Sequence, residues 1–474
     1  MSETTEGSQG TETPGRTAGA GDPLPGGYPA PRTVDLGYEA LDLNRAVQTY
    51  RQYYRAVSGA AIFDGITKAG GRANEVFGYF QTRPHHVGFT LNADTPYGVA
   101  LLDLSAGPMV IELPPGPFVA TVFDIHQHWI LDMGLPGPDG GEGGRHLVLP
   151  PDHSPDPPEG FHTGVAASDR VIAAIRVIPA GADVAAALER LTTVKVYPLD
   201  PGPDWSDPAW FEMTAQGQDT TPLAYETGLE YWRALHALID SEPGLPEYRS
   251  ACGDLAALGI VRGRPFAPDE RMTRILELAA KTANTQMRVE SLADRSPERE
   301  VWPDRQWEWA ALRHENGTFD AEGYRDTHAI DKWFFQAIAV SPAMFRRDPG
   351  AGSLYWLGSR EQGGDYLCGE NGYRLTVPLP VPATLFWSVT VYDAETRSQI
   401  RTAQDRAALR SEFELADLDG DSVDLFFGPE PPESGADRWI QTTPGQGWFA
   451  YLRLYGPEGP AFDGSWKPGD FVAL

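Results

Sequence analysis

Three groups of residues have types and spacings that could do chemistry. In Asn92-Ala93-Asp94-Thr95-Pro96-Tyr97, Asp94 and Tyr97 are candidate catalytic groups, a base or a hydrogen-bond donor facing a pocket. The same residues also suit a turn entering a strand, because Asn and Asp side chains cap their own backbone and proline fixes φ. In Asp124-Ile125-His126-Gln127-His128-Trp129, period two puts Asp124, His126 and His128 on one face of a strand. Two histidines at that spacing can ligate a divalent metal, with Asp124 as a hard ligand or as the group that orients an imidazole. Otherwise they form a hydrogen-bonded pair on an exposed face. A third histidine for such a site would come from His85, His86, His146 or His162.

The third group spans two segments. Ser388, Thr390 and Tyr392 alternate along Phe386–Asp393, and Arg453 and Tyr455 alternate along Trp448–Tyr455. If these strands are neighbours, the five side chains are a ligand-binding surface. Arginine grips a carboxylate or phosphate through two parallel N–H groups, and aromatic rings stack on a flat ligand. The alternative is an internal acid for Arg453. Asp393 is the first candidate, reached if the strand turns at Tyr392, and Asp419 is another.

These groups need strands and helices to hold them. Leu43, Ala46, Val47, Tyr50, Tyr54 and Val57 mark one helix face, with Asp42 as expected N-cap and Gly59 as expected stop. From about 87 to 178 the pattern becomes period two, broken by Gly and Pro, which predicts antiparallel strands. A short helix is expected near 183–192. Residues 220–292 read as helical, with Asp269 placed to cap the stripe Met272, Ile275, Leu276, Ala279 and Ala283. Strands return from about 354. Trp387, Val389 and Val391 form the dry face of one, and Trp448, Ala450, Leu452 and Leu454 that of another.

Composition narrows the class of function. The chain has 474 residues, more than one core usually holds, with Lys plus Arg 38 against Asp plus Glu 66 and a net charge of −28. Such a charge argues against nucleic acid and an anionic membrane surface as partners. No apolar run reaches the roughly 18 residues of a membrane span. Two cysteines exclude a disulfide scaffold and a cysteine-based metal cluster. Residues 1–35 are Gly, Ser, Thr, Pro and Glu-rich and read as a disordered leader without a secretory signal, so cytoplasmic residence is expected.

Asn92-Ala93-Asp94-Thr95-Pro96-Tyr97, followed by Leu102-Asp103-Leu104, Gly107-Pro108 and Ile111-Glu112-Leu113-Pro114, resembles the family called domain of unknown function 1254. Phe386–Asp393, then Asp419-Gly420, then Arg453-Leu454-Tyr455-Gly456-Pro457, resembles its usual partner, domain of unknown function 1214. The resemblance implies a mainly β protein with helical segments, in which two antiparallel β-sandwich, jelly-roll-like domains are joined by a helical region. The expected division is a leader over 1–35, a helix plus β domain over 36–200, a helical linker over 201–325 and a second β domain over 326–474. It implies no established reaction. The His-x-His segment followed by Asp132 also loosely resembles the cupin pattern.

Three functions follow as expectations. The first is a hydrolase-like enzyme acting on a small polar organic molecule in a pocket between the β domains. The second is a non-catalytic protein that binds a small ligand or a partner. The third is a metal-dependent, cupin-like enzyme using His126, His128 and Asp124. The oligomeric state is not read from the sequence.

Overall fold

The computed structural model describes residues 23–151, 157–313, 315–350 and 352–474. Helix α1 (Pro31–Lys68) leads into strands β1 (Val76–Phe80), β2 (Tyr97–Asp103), β3 (Met109–Leu113), β4 (Phe118–Asp124), β5 (Trp129–Gly134), β6 (Gly144–Leu149), β7 (His162–Val165) and β8 (Arg170–Val177). After α2 (Val184–Leu191) come β9 (Lys195–Pro198) and β10 (Ala209–Glu212). A helical stretch holds α3 (Leu229–Ser241), α4 (Arg249–Ala257) and α5 (Glu270–Leu292). Short strands β11 (Glu308–Trp309), β12 (Asp320–Ala321) and β13 (Tyr324–Arg325) precede α6 (Thr327–Gln336) and α7 (Pro342–Phe345). The chain ends in β14 (Ser353–Gly358), β15 (Tyr373–Pro378), β16 (Ala383–Asp393), β17 (Ala408–Arg410), β18 (Ser422–Gly428), β19 (Trp439–Gln441), β20 (Trp448–Pro457), α8 (Pro460–Asp463) and β21 (Phe471–Ala473).

The protein is mainly β with helical segments, and its sheets are open. In the N-terminal part, a six-stranded sheet in the order β10-β1-β2-β8-β4-β5 and a four-stranded sheet in the order β7-β6-β3-β9 share one core. In the C-terminal part, β11-β14-β20-β16-β17 and β19-β18-β15-β21 share another. The pairing is not wholly antiparallel, because β1 with β10, β6 with β7 and β18 with β19 run parallel. Each of these parallel pairs adds a strand at the edge of its sheet, where a connection across the end of the sheet can deliver it.

Helices α1, α3, α4 and α5 form a third core around Tyr50, Tyr54, Trp232 and Leu276. Helix α1 is longer in both directions than its apolar stripe suggests. Pro31 fixes φ at the first turn, so the last residues of the expected 1–35 leader are helical, and residues 1–22 lie outside the described residues. Asp42 does not cap. It is buried in mid-helix and accepts from Arg271 Nη2 at 2.8 Å. Gly59 does not stop the helix either. A Cβ there would lie 2.0 Å from the carbonyl oxygen of Ile125, so glycine lets α1 press directly against the turn after β4. The cap of α5 is the one expected, with Asp269 accepting from the N–H of Met272, and Asp183 caps α2 in the same way by accepting from the N–H of Ala186. Among the described residues, no helix is long and apolar enough to cross a membrane.

Candidate functional site

The side chains with unspent chemistry meet where the first sheet of each β part faces the other. Strand alternation sets one face of the C-terminal sheet. Trp387, Val389, Val391, Leu452 and Leu454 turn into its core. The register pairs Arg453 with Ser388 on one side and Tyr355 on the other, and Tyr455 with Phe386 and Ser353. These residues lie on the opposite face, so the expected ligand surface of Ser388, Thr390, Tyr392, Arg453 and Tyr455 is contiguous. All five are buried.

The N-terminal part meets that face with the Asn92–Tyr97 turn and strand β8. Asn92 Oδ1 accepts the N–H groups of Asp94 and Thr95 at 2.9 and 3.1 Å, which closes the turn. Asn92 Nδ2 donates to the Tyr97 hydroxyl at 2.7 Å. Asp94 Oδ2 accepts the Tyr455 O–H at 3.0 Å, docking the turn on β20, while Asp94 Oδ1 is buried without a partner. Arg176 pairs in register with Tyr97 and reaches the Tyr455 hydroxyl from Nη1 at 3.4 Å.

Between the two faces lies a cavity of about 90 Å³, mostly apolar, with Phe123 and Ala174 on one side, Tyr355 and Tyr451 on the other, and Trp333 and Ile338 as a wall. Arg176 and Arg453 both line it, one from each sheet. Arg453 Nη2 donates to the carbonyl of Thr90 at 2.9 Å, and its Cζ lies 5.0–5.5 Å from the ring centres of Tyr451, Tyr355 and Tyr392. Its Nη1 has no partner. Among the described residues no carboxylate lies within the 4.0 Å ion-pair limit of either guanidinium. The expected pairing of Arg453 with Asp393 is therefore corrected. Asp393 follows strict alternation onto the other face, and its carboxylate accepts the N–H of Thr396 at 2.7 Å. Burial raises the hydroxyls of Tyr97, Tyr392, Tyr451 and Tyr455 above their ordinary value, so they stay neutral and do not balance the arginines. Burial opposes the charge of Arg453 as well, but a guanidinium is too basic to lose its proton in a protein and stays charged. The Ser388 and Thr390 hydroxyls on the same face are also buried without partners.

Asp124, His126 and His128 come together, but not on a strand. Strand β4 ends at Asp124, and Gln127 has φ 58°, so the residues form a tight turn and the period-two reading fails. Asp124 Oδ1 accepts the N–H groups of His126 and His128, and Oδ2 that of Ala167 at 3.2 Å. His128 is engaged at both nitrogens. Nδ1 lies 3.1 Å from Asp124, and Nε2 lies 2.7 Å from Glu247 and 2.9 Å from the Arg55 guanidinium. Burial works to lower His128, and Asp124 outweighs it and raises the ring above its ordinary value. His126 is pushed down to about 4 by burial, so its ring is neutral, and neither nitrogen has a partner. Of the further histidines, His85 and His86 both engage the carbonyl of Thr214, and His146 lies 3.2 Å from Asp139. Among the described residues, no three His, Cys, Asp or Glu side chains are placed to hold a metal.

Residues 75–198 match the family model Protein of unknown function (DUF1254), and residues 352–459 match Protein of unknown function (DUF1214). The chain carries both domains. Arg176, Asp94 and Tyr97 fall within the DUF1254 match, and Arg453 and Tyr455 within the DUF1214 match, while Trp333 and Ile338 belong to the segment between them. No curated protein matches the chain. Among solved structures, the VPA0106 protein from Vibrio parahaemolyticus is similar over 91% of this chain and 100% of its own, at 14% identity and a TM-score of 0.56, which is a likeness of fold. A putative uncharacterized protein from Burkholderia cenocepacia covers 93% of this chain and 96% of its own at 12% identity and a TM-score of 0.42.

Reading the sequence alone misses Arg176, Tyr355, Trp333 and Ile338. Arg176 leaves one trace, a charge near the end of the otherwise apolar run Val171-Ile172-Ala173-Ala174-Ile175-Arg176-Val177. Trp333 in α6 and Ile338 just beyond it carry neither a charge nor a motif that would single them out.

Proposed function

We propose that this protein recognises a small organic anion in the cavity between its DUF1254 and DUF1214 sheets. One observation carries the reading. Two guanidiniums, one from each domain, line a single mostly apolar cavity, and among the described residues neither has a carboxylate within ion-pair distance. A buried cation without a counter-charge is costly, so a bound anion is the natural complement. The reading also gives a reason for the two domains to occur in one chain, since each contributes half of the charge.

An enzymatic reading is supported by Asp94. Its Oδ2 is fixed by the Tyr455 hydroxyl and its Oδ1 is left without a partner, an arrangement suited to a positioned base. A hydrolase-like activity on the bound molecule is thus the second proposal.

The test is saturation-transfer NMR on the full chain, with pairs of small anions and their neutral isosteres. Transfer to the anions but not to the isosteres, lost in Arg176→Gln, supports the reading. Equal transfer to both, or transfer that Arg176→Gln leaves intact, rejects it.

A further inference from the structure

The charge, size and hydrogen-bonding inventory of the cavity define its ligand more narrowly than "anion". We infer that the ligand is a short monocarboxylate, held by its carboxylate between Arg176, Arg453 and Tyr97, with its alkyl end against Phe123, Ala174 and Ile338. This rests on the anion reading above.

Charge comes first. The guanidiniums supply two positive charges, and Asp94, which accepts from the same Tyr455 hydroxyl that Arg176 reaches, offsets part of them from beyond ion-pair distance. The tyrosines stay neutral. One negative charge is left to be supplied, which suits a monocarboxylate better than a dicarboxylate or a phosphate dianion.

Hydrogen bonding comes second. The Tyr97 hydroxyl already accepts from Asn92, so its own hydrogen is available to donate. Arg453 Nη1 is a donor without a partner. Arg176 is surrounded by protein yet keeps accessible surface, and the cavity is the space it lines. The open polar positions are donors, so the ligand must bring acceptors. A carboxylate offers two oxygens with several lone pairs in the plane that a guanidinium fork matches. An amide or alcohol would set its own N–H or O–H against those donors.

Size comes third. The cavity is about 90 Å³. An apolar protein cavity of about 150 Å³ takes benzene, so this one, at three fifths of that volume, holds about four or five heavy atoms. After the carboxylate, that leaves a short alkyl stub, and the mostly apolar remainder of the wall suits it.

Isothermal titration of the full-length protein with sodium propanoate, butanoate, octanoate, propanamide, succinate and inorganic phosphate tests the assignment. Propanoate, with five heavy atoms, is expected to bind with a dissociation constant between about 10 µM and 1 mM, the range open to so few atoms, and butanoate, with one atom more, is expected to bind more weakly. Propanamide is expected to bind at least about tenfold more weakly, the loss of a charge-assisted hydrogen bond. Octanoate, succinate and phosphate are expected to be weaker than propanoate as well. Arg176→Gln should weaken propanoate at least about tenfold. Ala174→Leu, which fills the cavity and keeps both charges, should abolish binding in a folded protein. Propanamide or octanoate binding as tightly as propanoate, or full affinity in folded Ala174→Leu, would each overturn the monocarboxylate assignment. Succinate or phosphate binding tightest would overturn it and leave the broader anion reading standing. Failure of every anion to bind would remove both.

Discussion

Two buried arginines, Arg397 and Arg453, stand in the DUF1214 part and are handled in opposite ways. Arg397 has no exposed surface and is fully engaged. It bonds Glu226 at 2.9 and 3.2 Å, the Tyr54 hydroxyl at 3.1 Å, and the carbonyls of Phe335 and Glu395 at 3.1 and 2.7 Å. Its Cζ lies 4.5 and 4.2 Å from the ring centres of Phe89 and Phe335. Those partners come from α1, the segment before α3 and the end of α6, so Arg397 ties the C-terminal part to the helical layer. Arg453 has one carbonyl, three tyrosine rings and an unspent N–H group. The contrast separates a guanidinium that fastens elements together from one that faces a space left for something else.

The largest expected effects break the fastened side. Glu226→Ala leaves Arg397 buried without its counter-charge and should cost about 3–5 kcal/mol in denaturant unfolding. Trp387→Ala should cost a similar amount, about 3–5 kcal/mol, because the indole packs in the core on the far side of the same sheet. A loss under about 1 kcal/mol for Glu226→Ala would erase the distinction between the two arginines.

Arg453→Lys sharpens the comparison. Lysine retains the charge and loses the planar fork. With no internal carboxylate to lose, stability should fall by less than about 1 kcal/mol, while anion binding at the cavity should weaken at least about tenfold. A stability loss as large as that of Glu226→Ala would reclassify Arg453 as a fastening residue.

The smallest effect is a pH dependence. The hydrogen bond to Asp294 and the Glu290 carboxylate 3.8 Å away raise His328 to about 9. Its unfolded value is about 6.5. A group raised on folding stabilises fully below its unfolded value, and that contribution is lost as pH rises through its folded value. Stability should therefore decline between about pH 6.5 and pH 9, and His328→Gln should flatten that slope. Anion affinity should stay level across the same window, because Arg176, Arg453, Tyr97 and Tyr451 are all raised above their ordinary values. An affinity that falls together with stability would mean that the two regions are coupled.

Much of the local structure was legible in the residues. Period two sorted Trp387, Val389 and Val391 from Ser388, Thr390 and Tyr392 correctly, because in a strand the faces are fixed by parity alone. Asp269 announced its helix, since a cap acts within three residues. The Asn92 turn was read correctly for the same reason. Where local cues ran out, errors followed. Nothing near Asp124 signals that Gln127 adopts a left-handed φ, because the turn is held by α1 and by the loop after α6. Gln127 Nε2 donates to the carbonyl of Arg55, and its Oε1 accepts the N–H of Ala339 at 2.7 Å. Gly59 looked like a stop because the reason for glycine there is a neighbouring backbone.

The sequence by itself thus determined the resemblance to the two families, the strand faces and the cap at Asp269, and it put Arg453 on one face with Tyr451 and Tyr455 of its own strand. These depend on spacing along the chain. Only the tertiary structure decided what covers that surface. It brought Arg176 across from a strand 277 positions away in the numbering, set Asp94 on Tyr455, and, among the described residues, kept the carboxylates out of ion-pair reach of Arg453. Whether a buried charge is a fastener or half of a binding site depends on which group arrives from elsewhere, and that is a matter of packing between distant segments, to which hydrophobic periodicity is blind.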